Sequence, residues 1–301
     1  MSQAESQPAK LARLIAGGGV LVAPGVFNPI SAMIAVRVGF KALYFSGGGF
    51  ANSLGLPDLG VTTLTEVAAE VGRISRVVDV PVIVDVDTGF GEALNVARTV
   101  RELELAGAAA VHLEDQVMPK KCGHLPNKEV IEVEEMVKKI LAAVKARRRG
   151  LLIIARTDAR AVEGFDAAVE RARVYVRAGA DMIFPEALES EEEFREFAKK
   201  VDAPLLANMT EFGKTPYISA SKFQEMGYRV VIFPMTAFRV MLRAVERAYS
   251  ELYSRGTQAG LLDVMMSREE VYRLIDYYSY EKEDASLAGQ AKELMRTLHN
   301  S

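Results

Sequence analysis

A chain of 301 residues is long enough for one large domain or two ordinary ones, and with half its residues hydrophobic and 26% charged it can bury a sizeable core. A net charge of −3 gives no basic surface for nucleic acid, and a single cysteine excludes an internal disulfide, as expected of a reducing compartment. No apolar run is long enough to span a bilayer, and the polar opening from Met1 to Lys10 lacks the apolar core of a signal peptide. The expectation is a cytoplasmic globular protein with no nucleic-acid or membrane partner.

Short apolar runs alternate with longer amphipathic segments along most of the chain. The expected strands are residues 20–23, 42–45, 82–85, 109–113, 151–156, 182–185, 204–208 and 230–233. Each is apolar almost throughout, the pattern of a strand covered on both faces. Helical spacing occupies 64–78, 93–106, 130–147 and 166–178 among the segments between them. Thr62 or Thr63 caps the first of these, and Gly107 and Gly179 stand at C-terminal caps. The run Arg147-Arg148-Arg149 closes another and reads as a complement to the helix dipole. Leu105-Ala106-Gly107-Ala108 is echoed by Arg177-Ala178-Gly179-Ala180, one helix–strand turn used twice.

Strand–helix units recurring over about 250 residues predict an α/β fold, a closed (β/α)8 TIM-type barrel. A doubly wound sheet would carry its phosphate-binding turn after the first strand, whereas Gly17-Gly18-Gly19 precedes it. The chain reads as a single barrel domain over 1–301, with 267–301 a C-terminal helical extension. Ser267-Arg268-Glu269-Glu270 has the form of a capping box, and 280–298 that of a further helix. Their apolar faces have no place inside a complete barrel and are expected to pack on a neighbouring subunit.

Functional groups of such a barrel gather where strands end. Polar residues stand at one end of nearly every expected strand. They are Tyr44 with Ser46-Gly47-Gly48-Gly49, Asp85-Val86-Asp87, His112-Leu113-Glu114-Asp115, Arg156-Thr157-Asp158, Glu186 and Asn208-Met209-Thr210. Asp85 and Asp87 suit a hard cation such as Mg²⁺, and with Glu114 and Glu186 nearby the acids would repel without one. A zinc site lacks its usual ligands. The alternative for the two aspartates is a loop cap shaped by Gly89 and Gly91. The glycine triplet after Ser46 lacks the dinucleotide spacing; it suits either backbone contact with an anion or a tight turn. Arg156 can clamp a carboxylate or pair with a nearby aspartate. His112 reads as a satisfied core residue and His299 as tail, which leaves His124 as the histidine expected to be catalytic. The lone cysteine lies in Lys120-Lys121-Cys122-Gly123-His124, a loop marked by Pro119 and Gly123. A thiol between a lysine pair and a histidine is placed for proton transfer or nucleophilic work, although free cysteines are often simply buried.

The run from Lys120 to Lys128, Lys-Lys-Cys-Gly-His-Leu-Pro-Asn-Lys, resembles the signature of the isocitrate lyase and phosphoenolpyruvate mutase superfamily. The likeness is greatest to its 2-methylisocitrate lyase branch, which has Pro-Asn-Lys after Cys-Gly-His. It covers about residues 20–268 and includes the Ser46 and Asn208 motifs and Asp85-Val86-Asp87-Thr88-Gly89-Phe90-Gly91. The resemblance implies a Mg²⁺-dependent barrel enzyme in a homotetramer that exchanges a C-terminal helix between subunits. It implies cleavage of 2-methylisocitrate to pyruvate and succinate, a step of propionate catabolism through the methylcitrate cycle. Asp85 and Asp87 would hold Mg²⁺, while Ser46, Gly47 and Gly48 would bind substrate carboxylate. Cys122 and Gly123 would belong to a mobile catalytic loop, with Cys122 as proton donor. Arg156, Glu186, Asn208, Met209, Thr210, Arg239 and Arg268 would complete the pocket. Tyr44 and Asp58 are the candidates for the base at the hydroxyl. Phe184 takes a position where isocitrate lyases carry a bulkier Trp, leaving room for a methyl group. Competing outcomes are lyases of isocitrate, 2-alkylmalate or oxaloacetate, phosphonate mutases or hydrolases without the Cys-Gly-His loop, and a non-catalytic barrel.

Overall fold

The computed structural model describes residues 5–299. The apolar runs form eight parallel strands: β1 (Leu21–Val26), β2 (Leu43–Phe45), β3 (Val82–Asp85), β4 (Ala110–Glu114), β5 (Leu152–Thr157), β6 (Met182–Pro185), β7 (Leu206–Asn208) and β8 (Val230–Phe233). They lie in the order β6-β5-β4-β3-β2-β1-β8-β7, and a parallel bridge between Ile183 and Leu205 joins β6 to β7. The ring is thus closed, a (β/α)8 barrel. Helix α1 (Gln7–Ala16) precedes it. Between the strands lie α2 (Pro29–Val38), α3 (Gly47–Ser53), α4 (Leu64–Ser75), α5 (Ala93–Ala106), α6 (Val133–Ala146), α7 (Ala159–Val162), α8 (Phe165–Arg177), α9 (Glu191–Lys200) and α10 (Ala220–Glu225). After β8 come α11 (Thr236–Arg255), a 3₁₀ turn (Ala259–Val264), α12 (Arg268–Leu274) and α13 (Tyr277–His299).

Successive side chains of a strand face opposite ways, and burial sorts them into two groups. Tyr44, Ile83, Ala110, Ile154, Phe184, Leu206 and Ile232 pack together, with Leu11 and Ile15 of α1. Their strand neighbours, such as Phe45, Val84, Val111, Ile153, Ile183 and Val231, pack in a second cluster with helix residues. The first group fills the barrel, and the second lies between strands and helices. Because both layers are apolar, each strand reads as an unbroken run. Counting on by twos from the interior residues reaches Asp85, His112, Glu114, Arg156, Glu186 and Asn208. The pleat therefore turns these polar groups toward the barrel axis at one end.

The structure departs from the sequence reading at several points. β1 runs on to Val26, and β7 keeps only Leu206–Asn208 because Pro204 offers no N–H to the ladder. α6 begins at Val133, since Val130 instead pairs with Gln116. The glycine triplet is the first turn of α3, capped by the Ser46 hydroxyl, which accepts the Gly49 N–H at 3.1 Å. The arginine run lies outside the helix and does not serve its dipole. Arg147 pairs with Asp181 at 2.5 Å, and the Glu104 carboxylate accepts the backbone N–H groups of Arg148, Arg149 and Leu151.

Packing divides the chain inside α11, between Met241 and Leu242. Within the second unit, α12 opens on the expected capping box: Ser267 Oγ accepts the Glu270 N–H at 3.2 Å, and the Glu270 carboxylate accepts the Ser267 N–H at 2.8 Å. In the first unit, a Cβ on Gly25 would sit 2.0 Å from the Pro234 carbonyl oxygen, so β1 and the end of β8 can approach only through a glycine. Gly25→Ala should destabilise the barrel by about 1–3 kcal/mol or more. A denaturant midpoint equal to wild type would remove that constraint.

Candidate active site

At the carboxyl ends of β3 and β4 three inward groups meet. Asp85, His112 and Glu114 bring ligand atoms within 4.8 Å of one another. Asp85 Oδ2 accepts the Gly47 N–H at 3.1 Å and the Tyr44 hydroxyl at 3.3 Å, while Oδ1 accepts the Asp87 N–H at 3.0 Å. His112, fully buried, places Nδ1 3.1 Å from Tyr44 Oη and Nε2 3.3 Å from Asp85 Oδ1. Asp87 stands at φ 49° in the loop after β3, with Oδ1 2.8 Å from Lys120 Nζ. Burial, helped by Asp85 and Glu114 and opposed by Lys120, pushes its carboxyl up to about 7. Glu114 Oε1 is buried with no hydrogen-bond partner among the described residues, a cost that a bound cation would remove. Asp85 and Glu114, with His112 in the same group and Asp87 in the loop beside them, supply oxygen donors that fit a hard divalent ion.

The segment between β4 and α6 lies over these strand ends. Its base is closed by an antiparallel bridge, Gln116 to Val130. The Gln116 amide braces it further, donating to the Lys121 carbonyl at 2.8 Å and accepting the Lys121 N–H at 2.9 Å. The lysine pair does not face the thiol. Lys120 joins Asp58 to Asp87, and Lys121 donates to the Asn127 carbonyl at 2.8 Å. Cys122 is half-buried, and that burial raises its thiol above the ordinary value, against a backbone hydrogen bond from His124. A thiol stabilised as thiolate by the lysines is therefore not what this environment makes. It keeps its proton. His124 Nδ1 accepts the Lys214 N–H at 3.0 Å, so its proton sits on Nε2, 3.0 Å from Glu186 Oε1.

Arg156 takes the second of its two expectations, pairing with a nearby aspartate. Asp158 takes it in a fork, Nε at 2.9 Å and Nη2 at 3.1 Å, while Nη1 lies 3.2 Å from both Glu114 and Glu186. Its guanidinium also lies 5.2 Å from the Phe184 ring centroid. Asn208 Nδ2 donates to Glu186 at 3.2 Å, and Arg239 bonds Glu211 at 2.6 Å and Thr210 at 3.2 Å.

Part of this cluster opens on a cavity of about 200 Å³, whose lining does not include Asp87 or Glu114. Tyr44, Ser46, Gly48, Asp58, Asp85, Cys122, Gly123, His124, Arg156, Glu186, Asn208, Thr210 and Arg239 line it, as does Phe184. The Gly47 N–H is already given to Asp85, and a Cβ there would come within 2.9 Å of that carboxylate. Met209 turns outward into the layer against the helices, where its sulfur accepts the Ile218 N–H. Arg268 is the first residue of α12, in the second unit. The sequence reading missed His112 as a site residue, and it also missed Lys120. For His112 the signal was present: it stands two residues before Glu114, on the same face of β4.

A family model described as phosphoenolpyruvate phosphomutase matches residues 11–253. The chain is 61% identical to a 2-methylisocitrate lyase of Aeropyrum pernix, over 97% of this chain and 94% of that protein. It is 46% identical to a 2-methylisocitrate lyase of Bacillus subtilis, over 95% of each. Among solved structures, a 2,3-dimethylmalate lyase of the PEP mutase/isocitrate lyase superfamily superposes with a TM-score of 0.88 at 38% identity, covering 94% of this chain and 95% of that one. The barrel, its strand-end site and a match spanning most of its length make this chain a member of the phosphoenolpyruvate phosphomutase family, within the PEP mutase/isocitrate lyase superfamily.

Proposed function

We propose that the protein is a carbon–carbon lyase that cleaves 2-methylisocitrate to pyruvate and succinate. The observation that carries the reading is one thiol, Cys122, which burial keeps protonated and which lines the same small cavity as Asp85 of the acidic cluster. Breaking the bond between C2 and C3 needs a base at the hydroxyl and a proton donor at the departing carbanion. The residues divide between those two roles. Asp85, Asp87 and Glu114 would hold Mg²⁺, which when bound supplies Lewis acidity at the hydroxyl and its carboxylate. Of the two base candidates, Tyr44 is held protonated by burial and by Asp85, which suits a hydrogen-bond donor. Asp58, whose carboxylate pairs with Lys120 at the cavity wall, takes the proton. Arg156 and Arg239 face the cavity with guanidinium groups suited to the carboxylates of the succinate fragment. Cys122 protonates the carbanion, and His124, held by Lys214 and Glu186, keeps that loop in place.

Phe184 carries the specificity argument. It is fully buried against His112, at 5.4 Å between ring centroids, and reaches the cavity. Phe184→Trp should shift the preference from 2-methylisocitrate toward isocitrate by roughly 10- to 200-fold, the worth of one methylene in a pocket. The measurement compares pyruvate with glyoxylate release; an unchanged ratio would assign the methyl group to another wall. The second unit exposes Tyr253, Leu262, Leu287 and Leu294, apolar surface that supports self-association as a homotetramer in which the 267–301 extension is exchanged. No helix among the described residues is long and apolar enough to cross a membrane. A cytoplasmic location suits a free catalytic thiol that must stay reduced.

A further inference from the structure

Lys128 ends the Cys-Gly-His-Leu-Pro-Asn-Lys run, yet no step of the cleavage uses it. Its side chain is 1% exposed, and it does not line the cavity. The ammonium donates to two groups: the Gly123 carbonyl, and Asp158 Oδ1 at 2.9 Å. The first belongs to the peptide between Gly123 and His124, inside the catalytic loop. The second belongs to the carboxylate at the end of β5 that also forks onto Arg156. Lys128 thus bolts the loop backbone to the barrel at the point where the arginine is held. The fit there is tight, since a Cβ on Gly123 would come within 2.7 Å of Arg156 Nη2 and closer still to Glu186. Lys120 anchors one side of the loop, to Asp58 and Asp87, and Lys128 the other.

We propose that Lys128 is a positioning residue which, through the Gly123 carbonyl and Asp158, fixes Cys122 and His124 over the cavity and links that placement to the orientation of Arg156. The proposal rests on the lyase reading. A residue that only neutralised Asp158 would be redundant with Arg156, which already gives that carboxylate two hydrogen bonds. The carbonyl contact is what singles out the loop.

The test is Lys128→Met in the full chain, read in two independent ways. Turnover of 2-methylisocitrate should lose about 10²-fold in kcat with KM changed less than about threefold, because misplacement of a catalytic group acts on the chemical step. Hydrogen exchange of the backbone amides of residues 121–125 should quicken about tenfold, since Lys121 and Leu125 N–H groups are bonded within the closed loop. Exchange in helices away from the loop should stay as in wild type. If Lys128→Met does not fold, Lys128→Arg keeps the charge beside Asp158 but not the compact bridge, and the same two shifts are expected. Unchanged exchange at 121–125 together with kcat within about threefold of wild type overturns the proposal. Failure of the wild-type protein to release pyruvate overturns the lyase reading instead, and the exchange comparison still decides the role of Lys128.

Discussion

Cys122→Ser is expected to lower kcat by about 10²–10⁴-fold while leaving KM close to wild type, the signature of a lost proton donor. The fragment opposite Cys122 would be an electron-rich enediolate, which takes a proton and offers sulfur no electrophilic carbon. A serine hydroxyl is close in shape but a far weaker acid. The pH dependence gives a second handle. Burial raises the thiol above its ordinary value, so Cys122 is fully protonated through neutral pH. A general acid works only while it holds its proton. kcat should therefore stay level with respect to this group up to the usual thiol range, about 8.5, and fall only above it. That basic limb should vanish in Cys122→Ser. Near-wild-type kcat in the variant, or the same basic limb in both proteins, would refute the role. A thioether trapped with unmodified substrate would restore the nucleophile.

The barrel was legible because strands covered on both faces advertise themselves as apolar runs, and glycines such as Gly107 and Gly179, both at positive φ, punctuate the helix ends. The same continuity hid the parity. The apolar neighbours of His112 made it pass for core, although its place two residues before Glu114 puts both on one face; burial is complete, yet its two nitrogens face Tyr44 and Asp85. The loop resisted for another reason. A lysine beside a cysteine in sequence suggests a stabilised thiolate, but Lys120 reaches back to Asp58, 62 residues away, and Lys128 to Asp158, 30 residues away. Spacing along the chain cannot rank such partners. Met209 shows the converse: the motif around Asn208 was right, but the pleat sends alternate residues to opposite faces, and only Asn208 and Thr210 reach the cavity.

Chelation should abolish turnover, and added Mg²⁺ should restore it. Asp85, Asp87 and Glu114 are all buried, and a protein that collects three such carboxylates must neutralise them. Lys120 does part of this, which is why its ammonium stays charged against burial. The neutralisation is incomplete, since Asp87 is still pushed up to about 7 and Glu114 Oε1 still lacks a hydrogen-bond partner among the described residues. A divalent ion supplies both the remaining charge and the missing ligand contact. Binding should therefore show in stability as well as activity. At about a hundredfold excess over its Kd, Mg²⁺ should stabilise the folded protein by about 2.7 kcal/mol, read as a rise in the thermal midpoint. Asp87→Asn removes one of the acids and should lose both turnover and that rise. Full turnover in chelator-treated protein would exclude the ion from the reaction. An equal Mg²⁺-dependent rise in Asp87→Asn would place the ion elsewhere on the molecule.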